Sequence, residues 1–202
     1  MQQISNSDLL LMLLGIDSSQ EISNGVRGIT RVQKYIFLLE KEYHILPSEK
    51  GKGFEFVPYK AGPYSSQLYD DLELLENLEY IKGEPIDDAI EEESVDIKEI
   101  CFEDLMGDAS EEKDEQNNEY YDGFGANDAC QERRFCITNK GRKKICDLIN
   151  SGTYEPVVNS IRKLKGRFSN HSLPDLLYYI YTKYPDMTVE SEIKDKVLRR
   201  RK

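Results

Sequence analysis

The run from Phe54 to Leu72 constrains this chain more than any other stretch, because most of its residues have few conformational choices. Phe54 and Phe56 alternate with Glu55 as in a short half-buried strand, and Pro58, which lacks a ladder donor, limits how far that strand pairs. A tight turn is expected at Gly62-Pro63, with Gly62 pushed into β or polyproline space by the ring that follows it. Ser65 or Ser66 is placed to cap a helix whose Leu68, Leu72 and Leu75 form a buried stripe. Turn and helix together bring Tyr59, Tyr64 and Tyr69 close to one another.

The same reading along the chain predicts helices over about 7–15, 30–44, 65–79, 139–151, 155–168, 173–184 and 188–199. Thr30-Arg31-Val32-Gln33 has the form of a capping box, with Val32, Ile36, Leu39 and Tyr43 on one face of the helix that follows. Ser172-Leu173-Pro174-Asp175 is a looser version of that signal, followed by a stripe of Leu173, Leu177, Ile180 and Tyr184 and a stop at Pro185. Short strands are expected near Phe54 to Pro58, Tyr80 to Lys82, Val95 to Phe102 and Arg133 to Thr138, with Val95 to Phe102 a candidate to pair with Arg133 to Ile137. Helices, then a helix followed by a small hairpin, predict an α+β fold. It is mostly helical, with a winged-helix-like core, a small antiparallel sheet and additional C-terminal helices.

Charge is distributed unevenly. The net charge of -11 over 202 residues conceals a net of -17 between Glu84 and Glu132, where 19 acidic side chains face only Lys98 and Lys113. Residues 133–202 carry a net of +10, so the low pI describes one segment rather than the whole surface. The length suits one domain over 1–202, and 104–127 reads as an acidic, mobile insert within it, too poor in apolar side chains to offset ordering. That insert is a solvated loop, or an arm that shields the basic half, meets a basic partner or mimics nucleic acid. Its acidic spacing does not fit an EF-hand loop. No apolar run reaches the roughly 18 residues of a membrane span, and Leu9 to Leu14 lacks the basic leader of a signal peptide, so a cytoplasmic protein with no membrane partner is expected. Cys101, Cys130, Cys136 and Cys146 show no metal-ligand spacing and read as free thiols.

Catalytic machinery does not assemble from this inventory. The two histidines fall at the end of one helix (His44) and just before another (His171), Gly51-Lys52-Gly53 and Asp122-Gly123-Phe124-Gly125 lack the setting of a phosphate loop, and no cofactor is expected. Nucleic acid is the competing ligand, with Arg142, Lys143, Arg162, Lys163 and Arg167 as candidate phosphate contacts. The helix that would enter a DNA groove carries Asp70, Asp71, Glu73, Glu76 and Glu79 and no cation, so it should repel phosphate. Stiff amphipathic tyrosines are the alternative anchors: Tyr59, Tyr64 and Tyr69 around the turn, with neighbouring Lys60, and Tyr178 and Tyr181 on the late helix. The other reading is structural, with Tyr64 and Tyr184 as core residues whose hydroxyls reach a partner.

Pro58-Tyr59-Lys60-Ala61-Gly62-Pro63-Tyr64-Ser65, preceded by Gln33-Lys34-Tyr35-Ile36-Phe37-Leu38-Leu39 and followed by Leu72, resembles the signature of the Panacea group. That group includes the SocA-like antitoxins, the YwgA-like bacterial and phage proteins and, distantly, the toxin-binding part of DarG-type antitoxins. Phe135-Cys136-Ile137-Thr138-Asn139-Lys140-Gly141 is similar to its strand-turn-helix, and Ser172 to Pro185 to its closing helix. The resemblance covers most of the chain outside about 84–132. It implies a protein-binding, antitoxin-like role, with a toxin encoded nearby as partner, or a protease to which that toxin is presented. A DNA-associated regulator is the other reading.

Overall fold

A helix with no polar face is stable only where other elements surround it. That is the position of α1 (Asn6–Gly15), whose six residues Leu9 to Leu14 are all fully buried. Ser5 starts it, its Oγ accepting the Asp8 N–H at 3.0 Å. The computed structural model describes residues 4–19, 22–23, 25–46, 53–85 and 133–199. In chain order α1 is followed by β1 (Gly25–Arg27), α2 (Ile29–Tyr43), β2 (Val57–Tyr59), β3 (Gly62–Tyr64), α3 (Gln67–Asn77), β4 (Ile81–Pro85) and β5 (Arg133–Ile137). Four helical segments complete it: α4 (Asn139–Asn150), α5 (Glu155–Phe168), α6 (Leu173–Lys183) and, after a 3-10 turn at Pro185–Thr188, α7 (Lys194–Arg199). The fold is α+β and mostly helical, as expected.

The strands make one sheet in the order β1-β5-β4 and a separate β2-β3 hairpin. β1 runs antiparallel to β5, with Val26 opposite Phe135. Gly25 has φ +128°, and a Cβ there would stand 1.9 Å from the Phe135 carbonyl oxygen, so only glycine permits that pairing. Three helices and three strands in the succession α1-β1-α2-α3-β4-β5, with β5 central, have a winged-helix-like order. The β2-β3 hairpin is inserted between α2 and α3. Thr138 links sheet to α4: its Oγ1 donates to Glu79 O at 2.7 Å and accepts the Gly141 N–H at 3.0 Å.

The C-terminal layer packs α5 and α6 on α2. From α2, Arg31 donates to His171 O at 2.9 Å and Tyr35 donates its hydroxyl to Phe168 O at 3.3 Å, both across the loop that joins α5 to α6. The 3-10 turn and the segment after it lie over the hairpin, where Lys60 O accepts the Glu192 N–H and the Ser191 hydroxyl, each at 3.0 Å.

Several local expectations are corrected. The strand foreseen over 54–58 sits at Val57–Tyr59, because Glu55 adopts φ +46° and the Phe54 N–H is taken by Glu40 Oε1 at 2.7 Å. α2 starts after Gly28, at φ 76°, with no side-chain cap, so Thr30 opens no capping box. Ser66 precedes α3 in helical conformation without a capping bond, whereas Ser172 does cap α6, accepting the Asp175 N–H. Residues 188–199 are split between the 3-10 turn and α7. β1 and β3 were not foreseen as strands. The strand expected at 95–102 and the insert at 104–127 lie outside the described residues. By contacts the chain separates into one unit of residues 1–84 with 133–202 and another of 85–132. Among the described residues no helix is long and apolar enough to cross a membrane.

Candidate functional site

The β2-β3 hairpin is held from beneath by two polar side chains of a helix that is otherwise buried there. Gln33 Oε1 accepts the Ser65 N–H at 3.0 Å, and Lys34 Nζ donates to Pro63 O at 2.9 Å; both side chains are buried. Burial lowers the Lys34 amine to about 7. The motif blocks Gln33-Lys34 and Gly62-Pro63-Tyr64-Ser65 are therefore one structural unit, with the helix fixing the hairpin backbone.

Gly62 is not in β or polyproline space. It has φ +85°, and a Cβ on it would lie 2.9 Å from Tyr181 Cε1, so its hydrogen makes room for a buried aromatic ring. Tyr181 is only 1% exposed, its hydroxyl lies 2.8 Å from Ser191 Oγ, and burial pushes it up to about 12. It belongs to the core beneath the hairpin, which corrects its place among the surface candidates. α6 packs against β3, α2 and α7 at once, so a one-stripe reading of its sequence missed this face.

Above the hairpin the expected tyrosines do come together. Pro58 faces Pro63 and Tyr59 faces Gly62, which leaves Tyr59 free to reach diagonally to Tyr64, the residue opposite Val57. The Tyr59 and Tyr64 ring centroids are 4.9 Å apart and the Tyr64 and Tyr69 centroids 5.9 Å, with interplanar angles of 38° and 42°. All three rings are half-buried, and Val57 beside them is exposed. This is an aromatic ladder running from the hairpin onto the first turn of α3. Lys60 lies at the hairpin tip but is less free than expected: its ammonium is 3.6 Å from the Glu192 carboxylate and its carbonyl is covered by the C-terminal segment. Tyr178 is half-buried on α6.

The cationic candidates do not act as one set. Arg142 is half-buried and donates to Ile22 O at 3.3 Å, and Arg162 is half-buried with its Nε unbonded. Lys143 and Lys163 are exposed on α4 and α5. Lys143 borders a shallow depression lined by Asn139, Arg142, Cys146 and Asp147.

Arg167 belongs to a cluster that sequence reading did not find. Glu42, at the end of α2, accepts from the Tyr179 hydroxyl at 2.7 Å, Lys183 Nζ at 3.0 Å, the Tyr184 hydroxyl at 3.3 Å and Arg167 Nη1 at 3.2 Å. Arg167 also lies 4.7 Å from the Tyr179 ring centroid. Burial pushes the Glu42 carboxyl up, but the Tyr179 and Lys183 hydrogen bonds and the two cations outweigh it and hold the group below its usual range. The cluster ties α2 to α5 and α6. Its signal in sequence was only a glutamate near a helix end.

Cys136 and Cys146 are half-buried free thiols; Cys136 lies 3.2 Å from Glu84 Oε2 and is raised to about 11, first by burial and then by that carboxylate, so it is a poor nucleophile. Among the described residues no group of three or more His, Cys, Asp or Glu side chains could hold a metal ion. No protein-family model, no curated protein and no solved structure matches the chain.

Proposed function

We propose that this chain is a non-enzymatic protein-binding module with an antitoxin-like role, which neutralises a toxin by covering its active surface or presents it to a protease. The observation that carries the reading is the Tyr59-Tyr64-Tyr69 ladder. Three large, stiff rings stand partly exposed, two on a hairpin whose backbone is fixed by Gln33, Lys34 and Tyr181 and one on the first turn of α3. Pre-ordered aromatic surface with polar tips binds protein at low entropic cost. The antitoxin-like part comes from the resemblance of these motifs to the Panacea group, and the expected partner is a toxin encoded in a neighbouring gene.

The test is affinity capture from the source cell with wild type, Tyr59→Ala and the exposed control Glu155→Ala. Tyr59→Ala should stay folded with a loss of only about 1 kcal/mol and bind its partner about 30-fold more weakly, the equivalent of about 2 kcal/mol. If it captures everything the wild type does, the ladder is not the interface.

A DNA-associated regulator is the second reading, favoured by the winged-helix-like order of elements and the exposed Lys143 and Lys163. The acidic outer face of α3 stands against it at the position where such a core would enter a groove.

A further inference from the structure

In a winged-helix core the helix before the sheet hairpin is the one positioned to enter a ligand's groove, and here that helix is α3. Its buried side is Leu68, Leu72 and Leu75 with Asp71. Asp71 is turned inward, its Oδ1 accepting the Ser7 hydroxyl at 2.5 Å. The opposite side, by the 3.6-residue repeat, runs within roughly half a turn of arc from Tyr69 through Glu73 and Asp70 to Leu74 and Leu78. Asp70 and Glu73 are exposed and make no ion pair among the described residues, unlike Glu76, which holds Arg133 at 3.2 Å. Leu74 and Leu78 are 45% and 42% exposed, two of the five large apolar side chains that the described residues leave open to solvent. They stand four residues apart, one above the other on the helix surface.

An apolar pair beside two unneutralised carboxylates repels a phosphate backbone and matches a surface of opposite charge that carries its own apolar side chains. Tyr69 joins this face to the tyrosine ladder, so the two surfaces are continuous. We propose that the outer face of α3 is the docking site for a basic amphipathic segment of the partner protein. Its Lys or Arg side chains meet Asp70 and Glu73, and its apolar side chains cover Leu74 and Leu78. This inference rests on the protein-binding reading above and adds the chemistry of the partner and the helix that meets it. Because the leucines set the fit and the carboxylates the attraction, the two kinds of substitution separate. Losing the leucines weakens binding at any salt concentration, whereas reversing the charges also removes its salt dependence.

The probe is an 18-residue helical peptide of leucine and lysine with leucines three and four apart, titrated into the full chain at 150 mM NaCl and followed by backbone amide shifts. A matched leucine-glutamate peptide and a 20-base-pair duplex serve as comparisons. The expected result is shifts centred on 69–78 with the lysine peptide alone. Leu74→Ser/Leu78→Ser and Asp70→Lys/Glu73→Lys should each weaken it about tenfold, and the control Glu155→Lys less than twofold, all melting like wild type. The proposal is overturned by a leucine double variant that binds within twofold of wild type, by shifts lying elsewhere, or by the duplex moving the same amides. It is also overturned if the leucine double variant converts a dimer to a monomer, since the occupant is then a second copy of the chain. If the α3 variants keep partner affinity while Tyr59→Ala loses it, this inference falls and the proposed function stands.

Discussion

Gly62 and Lys34 show how much of the hairpin's behaviour is decided by single groups. Gly62→Val adds strain at φ +85° and a contact with a ring that has nowhere to go, so it should lower stability by about 2–4 kcal/mol in a denaturant melt. Tyr59→Ala should cost about 1 kcal/mol, the aromatic pairing with Tyr64. If the two variants melt alike, Tyr59 is a core residue. Lys34 makes a pH signature. Its folded amine titrates near 7 against 10.5 in an unfolded chain, so between those values the unfolded state binds the extra proton and stability rises with pH. Lys165, buried on α5 and lowered to about 8, acts in the same direction, while Tyr181, raised to about 12, reverses the trend above pH 10. Melting temperature should therefore climb from pH 7 to about 10, and Lys34→Met should flatten the lower part of that climb. An unchanged slope would show that Lys34 is not buried as a cation at neutral pH. Neither Lys34 nor Gln33 was legible as a hairpin support, because a polarity pattern places such side chains outside unless a specific partner is known.

Among the elements, the helices were legible and the pairings were not. α2, α4, α5 and α6 repeat apolar side chains at helical spacing and end within a residue or two of where the pattern places them. β1 has three residues and no alternation to read, and β3 contains a glycine and a proline that read as a turn. Tyr59, Tyr64 and Tyr69 could be grouped from sequence because a hairpin and a first helical turn separate them by short, fixed paths. Tyr181 could not be assigned, since α6 packs on several sides. The Glu42 cluster is likewise a product of packing, joining the ends of α2, α5 and α6. Its carboxyl is held below the usual range, so its contribution is present above about pH 4.5 and lost as pH falls through the lowered value. Arg167 and Lys183 are about half exposed, which screens them, so Glu42→Gln should cost only about 1 kcal/mol at pH 7. It should also lessen the loss of stability below pH 4.5. An acid limb identical to wild type would show that the cluster is not formed in solution.

At the scale of the whole molecule, charge separates the two functional readings. The winged-helix-like order of elements was legible, yet the helix that would face a groove is acidic, and the chain between β4 and β5 carries a net charge of -16, more than the -11 of the whole molecule. If DNA is bound, the contacts are Lys143 and Lys163, and the slope of log affinity against log salt should fall by about 2 when both become alanine. A duplex that does not bind at low ionic strength would remove the regulator reading. The central claim, that the tyrosine ladder is a protein interface, is tested most directly by a photo-crosslinking residue, p-benzoylphenylalanine, placed at 59 in the full chain and irradiated in the source cell. The account predicts one dominant covalent adduct with a discrete partner, absent when the same residue replaces Glu155. Equal, diffuse labelling from both positions, in a protein that still melts like wild type, would contradict it.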